Sequence, residues 1–331
     1  MGQLPFEKIP RIILKRQDAK TSPKFGCEPS KRPIKQLFDF GVVNIDKPSG
    51  PTSHQVSAYV KKILNISKSG HSGTLDPKVT GVLPIAVGRG TRVVQSLLTA
   101  GKEYVCVMHI HADFDEAQLR QIIKDQFTGK IKQLPPVKSA IKRQWRFRKI
   151  YYFEILEIKE HDVLFRVGTQ AGTYIRKLCH DIGVALGCGA HMAQLRRSKV
   201  GPFTEESTLC SLQDLTDAMY YHTEKNDDTK LRKYLQPVEA AVNHLPSIWV
   251  TDSTVNTLCQ GATLKVPGIS KVESEIQVGE PVAVLTLKGE LVCVGACLMT
   301  SSDLVSKQNG VAVKSSQVFM PPTTYPKIPK D

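Results

Sequence analysis

The sequence lacks any long apolar segment. Its longest apolar runs, Val82 to Val87 and Val292 to Met299, fall well short of the roughly 20 residues that a helix needs to cross a bilayer. The first residues have no signal-peptide core either, because charged side chains such as Glu7 and Lys8 stand among the apolar ones. We therefore expect a soluble, intracellular protein that spans no membrane.

The sequence also lacks the motifs of common nucleotide and metal sites. It contains no GxGxxG or GxxxxGK[ST] phosphate loop and no βαβ rhythm, which argues against a doubly wound nucleotide-binding fold. HExxH, DxDxDG and clustered His/Cys spacings are missing, and none of the eight cysteines forms a CxxC pair. Cys106, Cys179 and Cys293 lie inside apolar segments, which favours reduced core thiols. We expect chemistry that needs no metal and no other cofactor.

What the chain has in excess is positive charge. Its 331 residues include 45 Lys and Arg against 31 Asp and Glu, a net charge of +14, while 41% of the residues are hydrophobic. This apolar content is enough for one large core and a smaller one. An excess of positive charge on an ordinary globular composition favours a polyanionic partner, either nucleic acid or an anionic membrane surface.

The pattern of apolar residues divides the chain into four parts. Residues 1–37 form an irregular basic arm, and 38–246 mix helices and strands. Short strands with Gly-bearing turns in residues 247–322 indicate a small β-barrel, and the tail at 323–331 is rich in Pro and Lys. We expect each of the two larger units to have its own apolar core, and the arm to pack against the second unit.

Helix signals in the first large unit are clear at several points. Apolar spacing predicts a helix capped by Thr52 or Ser53, another capped by Thr91, and a third from Ile175 to Leu186 that ends at Gly187. Asp115 is expected to cap a further helix, which Gly129 closes.

The densest positive charge lies in the apparently irregular stretch from Lys130 to Lys149. Its later cations are Lys138, Lys142, Arg143, Arg146, Arg148 and Lys149, with Trp145 and Phe147 among them. A solvated loop is one interpretation of this stretch. Aromatic rings between cations favour contact with RNA or with a partner protein.

One loop combines glycines, prolines and a single carboxylate. It runs from Gly70 to Pro84, and in it Asp76 immediately precedes Pro77. A residue before proline is biased toward extended geometry, which can aim the carboxylate into a cleft. The alternative is an Asx turn in which Asp76 only caps backbone amides. The residues alone do not decide between the two.

Several ordered motifs resemble the TruB family of pseudouridine synthases. They are residues 41–50, 71–84, 101–105, 171–176 and 189–197. Further stretches resemble the Cbf5/dyskerin branch, the catalytic subunit of H/ACA guide-RNA particles: Lys31 to Ile34, Pro135-Pro136, Lys142-Arg143 and Arg148 to Tyr152. Residues 247–322 resemble the PUA module, an RNA-binding β-barrel. The chain has no long Lys-rich tail like that of nuclear dyskerins, so the resemblance is to the archaeal type.

The resemblance implies an α+β fold, in which a mixed, largely antiparallel sheet is flanked by helices and loops and followed by the PUA barrel. It implies an isomerase that converts uridine to pseudouridine in rRNA under an H/ACA guide RNA, with accessory proteins of the Nop10, Gar1 and L7Ae types. A guide-free synthase acting on the TΨC arm of tRNA and a non-catalytic RNA-binding assembly factor are the alternatives. The expected location is the cytoplasm of an archaeal-type cell, or the nucleolus of a eukaryotic one.

The resemblance also assigns roles around Asp76, which becomes the catalytic residue. An ionised carboxylate can attack C1′, stabilise an oxocarbenium-like centre or assist proton removal at C2′. Arg176 is expected to pair with Asp76 and keep it ionised. Tyr104 is expected to stack on the flipped uracil, with Tyr174 on its other side, and Leu195 lines an apolar pocket. By sequence alone, a tyrosine is more often a core residue with a satisfied hydroxyl.

Other residues are expected to hold RNA. His71 and Lys47 position it rather than perform acid or base chemistry. Backbone contacts are expected from Arg143, Arg146, Arg148, Arg196 and Arg197. In the second unit, Gly261 and Lys265 mark a place where an RNA backbone can approach closely. The alternative is that they are an ordinary turn glycine and a solvated lysine, which would give the same sequence.

Overall fold

The computed structural model describes residues 2–135, 142–206 and 208–327. Pro136 and Lys138, named above, lie outside these residues. The strands in chain order are β1 (Ile13–Lys15), β2 (Gly41–Lys47), β3 (Ser69–His71), β4 (Thr80–Val87), β5 (Lys102–Ile110), β6 (Gly129–Gln133), β7 (Arg146–Lys159), β8 (Asp162–Thr169), β9 (Ala190–Val200), β10 (Leu209–Cys210), β11 (Leu235–Pro237), β12 (Ser247–Val250), β13 (Leu264–Lys265), β14 (Ile269–Glu273), β15 (Pro281–Thr286), β16 (Leu291–Cys297) and β17 (Val311–Val318).

The helices alternate with these strands. They are α1 (Ile34–Leu37), α2 (Ser53–Ile63), α3 (Val94–Thr99), α4 (Glu116–Gln126), α5 (Ile175–Leu186), α6 (Leu212–Lys225), α7 (Thr229–Tyr234), α8 (Asp252–Cys259) and α9 (Ser301–Ser306). Short 3₁₀ segments cover Pro5–Glu7, Pro29–Lys31, Gly88–Val93, Val238–Val242 and Val266–Gly268.

The first large unit is built on a ten-stranded sheet. Eight strands follow one another in the order β10-β2-β4-β9-β5-β8-β7-β6, while β11 pairs with β2 and β3 pairs with β4. Only the β10–β2 and β4–β9 pairs are parallel. Helices α2 and α6 pack on β2 and β4, and α4 and α5 pack on β5 and β8. The predicted mixed, largely antiparallel sheet flanked by helices is confirmed.

The second unit is a seven-stranded sheet wrapped around one core. Its order is β1-β14-β12-β15-β16-β17-β13, and Ile248, Val282 and Val292 are fully buried inside it. Strand β1 comes from the N-terminal arm and pairs with β14, so that Leu14 lies opposite Val272. The arm therefore packs against this unit, as predicted.

A third apolar cluster joins the two sheets. Val42 and Val82 of the first sheet pack with Ala283 and Leu291 of the second. Each unit also has an apolar core of its own, as expected. The shared cluster is an additional contact, in which Val42 and Val82 are buried against residues of the second unit.

The helix predictions fare unevenly. Helix α2 begins after Thr52, whose hydroxyl accepts a hydrogen bond from the Gln55 amide at 3.2 Å, and α5 ends at Gly187 with φ of +79°, both as predicted. The predicted cap at Thr91 is wrong. Thr91 lies within the 3₁₀ segment and donates to the Gly88 carbonyl at 2.9 Å, so the α-helix starts only at Val94.

The stretch from Lys130 to Lys149 is not irregular at its two ends. Strands β6 and β7 pair there, with Ile131 buried on the inner face. Charged residues at alternate positions conceal the strand period in the sequence. In the folded chain, the ammonium groups of two of these lysines lie over aromatic rings. Lys130 Nζ is 4.3 Å from the Phe147 ring centroid, and Lys132 Nζ is 4.8 Å from that of Trp145. We call this β6–β7 unit the basic hairpin.

Candidate active site

Asp76 and Arg176 meet although 100 residues separate them. Asp76 lies in the loop of residues 72–79 between β3 and β4, and Arg176 lies in the first turn of α5. An Arg176 Nη2 donates to Asp76 Oδ2, and both side chains are more than half exposed. Within the described residues, the Asp76 carboxylate accepts from this guanidinium and from no backbone amide. The geometry therefore favours the cleft interpretation over the Asx turn.

The loop around Asp76 rests on a buried lysine. Lys47 has no exposed surface, and its Nζ donates at 2.8–2.9 Å to the carbonyls of Pro48, Pro77 and Val79. Burial lowers the pKa of Lys47. The expectation that Lys47 touches RNA is therefore wrong, because its ammonium faces the inside of the loop. Its role is to hold the chain on both sides of Asp76.

A buried arginine supports the same loop from the sheet. Arg197 on β9 is 1% exposed, and it donates to the Val82 carbonyl at 2.8 Å and to the Gly73 carbonyl at 3.3 Å. Burial lowers the pKa of Arg197, and the nearby Tyr104 opposes that effect. Arg197 cannot reach an RNA backbone from this position, so its predicted phosphate contact is also wrong.

Ser53 also supports this loop, a role that the sequence does not indicate beyond a possible helix cap. Its buried Oγ accepts from the Leu75 amide at 2.8 Å, immediately before Asp76. On the other side, the Gly50 amide donates to the Pro77 carbonyl at 2.9 Å. The chain is thus fixed one residue before and one residue after an exposed carboxylate.

His71 lies at the start of the loop. Its Nδ1 accepts from the Gly73 amide at 3.3 Å, and its ring packs edge-on against His54 at 4.7 Å. Burial lowers the pKa of His71, with His54 and Arg197 acting in the same direction. A neutral imidazole suits the predicted positioning role.

The two predicted stacking tyrosines lie on separate elements beside the ion pair. Tyr104 is half-buried on β5, next to Arg197 of β9, and Tyr174 directly precedes α5. Leu195 lies on β9 opposite Cys106 and packs at the edge of the core that includes α5. Their contacts with uracil stay predictions.

Gln133 is a residue that sequence reasoning missed. It is 2% exposed at the end of β6, where its Oε1 accepts from the Tyr174 amide at 3.1 Å and its Nε2 donates to the Tyr174 carbonyl at 3.2 Å. This paired amide contact ties the basic hairpin to the start of α5, two residues before Arg176. No spacing in the sequence could have indicated it, because 41 residues separate the partners.

The remaining arginines differ in their surroundings. Arg143 is exposed before β7, while Arg146 and Arg148 are half-exposed on β7, opposite Gln133 and Ile131. Their RNA contacts stay predictions.

Arg196 is part of the framework instead. Its two Nη atoms donate to the carboxylate of Asp46 at 3.0 Å each, and its Nε donates to Glu205. The hydrogen bonds that Arg196 donates to Asp46 raise the pKa of Arg196. Two carboxylates already compensate its charge, so the predicted phosphate contact is not supported.

Gly261 lies in the turn after α8, and Lys265 lies on the short strand β13 that follows. Gly261 has φ of +88°, and a Cβ placed there would meet no atom within 4 Å, so the backbone angle explains the glycine. Lys265 is exposed on β13. Both remain candidates for RNA contact.

All eight cysteines are free thiols, and Cys106, Cys179 and Cys293 are buried, as predicted. In the described part of the chain, no helix combines the length and the apolar character needed to span a bilayer.

Sequence profiles of four domain families match successive parts of the chain. They are the DKCLD domain at residues 3–57, the N-terminal domain of TruB family pseudouridylate synthases at 61–175, the tRNA pseudouridylate synthase B C-terminal domain at 176–243 and the PUA domain at 246–319.

Whole-chain similarities agree with these profiles. A "Probable tRNA pseudouridine synthase B" of Pyrococcus furiosus is 53% identical over 325 residues, which cover 98% of this chain and 95% of the relative. The protein of the same description in Methanosarcina barkeri is 51% identical and covers 98% and 96%.

Solved structures match equally well. The fold superposes on a chain of a Cbf5-Nop10-Gar1 complex with a TM-score of 0.94, 53% identity and 99% coverage of both chains. It also matches an H/ACA RNP bound to a substrate RNA containing 2′-deoxyuridine, with a TM-score of 0.91, 51% identity, and coverage of 98% of this chain and 99% of the other. The chain therefore belongs to the TruB family of pseudouridine synthases, enzymes that convert uridine to pseudouridine, and it carries a PUA domain.

Proposed function

We propose that this chain isomerises selected uridines of ribosomal RNA as the catalytic subunit of an H/ACA guide-RNA particle, with Asp76 as its catalytic residue. The observation that carries the proposal is the exposed Asp76–Arg176 pair on an otherwise immobilised loop. It occurs in a fold that matches a Cbf5 chain over 99% of both lengths.

The reaction exchanges one bond to C1′ for another. The Asp76 carboxylate attacks C1′ while the C1′–N1 bond breaks and its electron pair goes to N1 of uracil. The uracil then turns, C5 bonds to C1′ and displaces the carboxylate, C5 loses its proton and N1 gains one. In two other routes the same carboxylate stabilises an oxocarbenium-like centre or removes a proton at C2′. No water is consumed and no group is oxidised.

The residues around Asp76 explain how a single carboxylate can perform this reaction. The Arg176 guanidinium donates a hydrogen bond to the Asp76 carboxylate and aims it. Tyr104 and Tyr174 would stack on the flipped uracil from two sides, beside the apolar side chain of Leu195. The frame of Lys47 and its partners keeps the carboxylate in place while the base moves.

The proposed partners follow from the matched structures. Those structures contain Nop10, Gar1 and substrate RNA, and the family resemblance adds an accessory protein of the L7Ae type. A guide RNA would choose the uridine by base pairing, while the basic hairpin, Lys265 and the net charge of +14 supply sequence-independent contacts with phosphates. We infer a catalytic unit at 38–246, a guide-binding unit at 247–322, the arm at 1–37 and the tail at 323–331.

We place this activity in the cytoplasm, because the relatives named above belong to archaea, whose cells have no nucleus. Guide-free modification of tRNA is the second candidate function. The description of those same relatives as tRNA pseudouridine synthase B favours it. The same active site can serve both reactions, since the chemistry at C1′ does not depend on how the uridine is chosen.

Pseudouridine mapping tests the proposal. Purified protein is given rRNA and tRNA fragments with and without a guide RNA and the accessory proteins. We expect a single rRNA uridine to be modified only with its guide, and the modified position to move when the guide sequence is changed. Modification of rRNA that ignores the guide would contradict the proposal. Modification of tRNA without a guide would establish the second function.

A further inference from the structure

Four of the nine histidines gather at the end of β5 that points away from Tyr104. His109 ends this part of β5, His111 follows it, His161 lies in the β7–β8 turn, and His191 begins β9. The ring centroids of His109 and His111 lie 5.4 and 5.1 Å from that of His191, and His161 lies 6.0 Å from His109. All four rings have access to solvent.

Hydrogen bonds fix which nitrogens carry lone pairs. His109 Nδ1 lies 2.7 Å from Asp162 Oδ1, and His161 Nδ1 lies 3.2 Å from the Ala112 carbonyl. Both acceptors require an N–H at Nδ1, which leaves Nε2 of each neutral ring as a lone-pair donor. A histidine whose other ring nitrogen is held by a carboxylate or a carbonyl is the usual form of a metal ligand.

Two further pairs have spacings close to those of metal ligands. His111 Nε2 and His191 Nδ1 are 2.8 Å apart and share one proton, and His161 Nε2 is 3.6 Å from Asp113 Oδ1. Two ligands of a tetrahedral Zn²⁺ at about 2.0–2.1 Å from the metal lie about 3.3 Å apart. Each pair is within about half an ångström of that separation.

The local charge favours a cation and disfavours RNA. A cavity of about 510 Å³ opens beside His161 and is lined by Asp113, Glu116 and Glu160, of which Glu116 also pairs with Arg120. Asp162 adds another carboxylate at His109. On a chain of net charge +14, this is a region where phosphates are repelled and a metal ion is attracted.

We propose that these four histidines, which we call the histidine cluster, bind one divalent transition-metal ion such as Zn²⁺, with Asp113 as a further ligand and Asp162 supporting His109. Among the described residues, no group of three or more His, Cys, Asp or Glu side chains is already placed to hold a metal ion. Binding therefore requires the exposed imidazoles to rotate, so that the metal replaces the His111–His191 hydrogen bond. Imidazole nitrogen is a good ligand for Zn²⁺, Cu²⁺ and Ni²⁺, whereas Mg²⁺ and Ca²⁺ prefer oxygen ligands.

The site would be structural rather than catalytic. His109 is five residues from Tyr104 along β5, which corresponds to about 16 Å. A bound metal would clamp the β7–β8 turn to β5 and β9. The sequence conceals this site because its ligands come from three separate segments. Chelation is therefore expected to leave turnover unchanged, so failure of this proposal and failure of the proposed function are separable.

Calorimetric titration of the full-length chain with Zn²⁺ after chelator treatment tests the site. We expect one equivalent to bind with a micromolar or tighter dissociation constant, and His111→Gln and His191→Gln each to weaken binding at least tenfold. Asp162→Asn is expected to weaken it about tenfold, the usual effect of losing a group that orients a ligand. The matched control is His180→Gln, whose exposed ring lies on α5 outside the cluster.

Cys188 is the nearest confounding ligand, since it lies three residues before His191 and is half-buried. Cys188→Ser is expected to bind Zn²⁺ as the unchanged chain does. A second readout is thermal: Zn²⁺ should raise Tm for the unchanged chain and not for His111→Gln. The proposal is overturned if both histidine variants bind like the control, if Cys188→Ser abolishes binding, or if the unchanged chain binds only at millimolar Zn²⁺.

Discussion

At the scale of single residues, the site places an exposed carboxylate between buried residues that hold its loop. Asp76, Pro77 and Lys78 are exposed, while their neighbours Leu75 and Val79 are buried. Two of the cations that the sequence suggests as RNA contacts belong to the support. Lys47 and Arg197 donate hydrogen bonds to carbonyls of the loop and of β4, since a buried charge must be compensated by hydrogen bonds. Residue type alone could not distinguish these roles from phosphate contacts.

Lys47→Met tests this division. The substitution leaves the carbonyls of Pro48, Pro77 and Val79 without their donor, and we expect it to lower the free energy of unfolding by about 2–4 kcal/mol. Turnover should fall with RNA affinity nearly unchanged, because the loop around Asp76 loosens. The matched control is Lys61→Met on the exposed face of α2. If Lys47→Met instead weakened RNA binding without loss of stability, Lys47 would be an RNA contact after all.

At the scale of elements, capped helices could be predicted and tertiary contacts could not. The caps at Thr52, Asp115 and Gly187 are local, so a few adjacent residues specify them. Strand β6 and the first residues of β7 were hidden because cations occupy their outward positions and outnumber the inward apolar residues that would reveal the strand period. The rest of β7, from Ile150 to Ile158, is predicted as a strand by its apolar pattern. The frame around Asp76 was hidden for another reason. Ser53 contacts Leu75, which lies 22 residues away in the chain, and the spacing of apolar and capping residues does not predict contacts over that separation.

The contact between the basic hairpin and α5 yields an element-scale prediction. Gln133→Leu removes both hydrogen bonds to the Tyr174 backbone. The start of α5, which carries Arg176, is then no longer held in a fixed position relative to the basic hairpin. We expect the rate constant kcat to fall about tenfold or more with KM changed less than threefold, as for a positioning residue. The control Gln144→Leu changes an exposed glutamine of the same hairpin. A change confined to KM would show that Gln133 acts only in binding.

At the scale of the whole molecule, the sheets and the arm are one cooperative structure. Arg32 of the arm forms a buried ion pair with Glu239, which also accepts from the Leu291 amide at 2.8 Å. Deletion of the chain from residue 246 onward would expose Val42 and Val82 of the shared cluster. We expect the remaining chain to aggregate or to lose more than about 10 °C in Tm, measured by circular dichroism. An unchanged Tm would mean that the first unit folds independently.

His244 makes the stability of this assembly depend on pH. It is buried where the arm crosses, with Arg11 Nη1 donating to its carbonyl, and burial lowers the pKa of His244 to about 4. The unfolded chain binds a proton near pH 6.5, so between pH 6.5 and 4 it binds more protons than the folded chain, and stability falls as pH falls. The expected loss is about 2–3 kcal/mol over this window.

Urea unfolding of the unchanged chain and of His244→Gln at several pH values measures this contribution. Above pH 7 the histidine is neutral in both states, so the variant reports only the lost packing there. The difference between the two chains should shrink as the pH falls from 6.5 to 4. A difference that stays constant across this range would show that His244 does not titrate between the two states.

The central claim is that Asp76 alone performs the covalent chemistry, and one comparison tests it most directly. Single-turnover pseudouridine formation and RNA affinity are measured on the same preparation of Asp76→Asn, assembled with guide RNA and accessory proteins, with the exposed Asp18→Asn as the control. We predict that Asp76→Asn forms no detectable pseudouridine while its affinity for RNA stays within a few-fold, because one carboxylate is lost and no phosphate contact is removed. Turnover near that of the control would contradict the account.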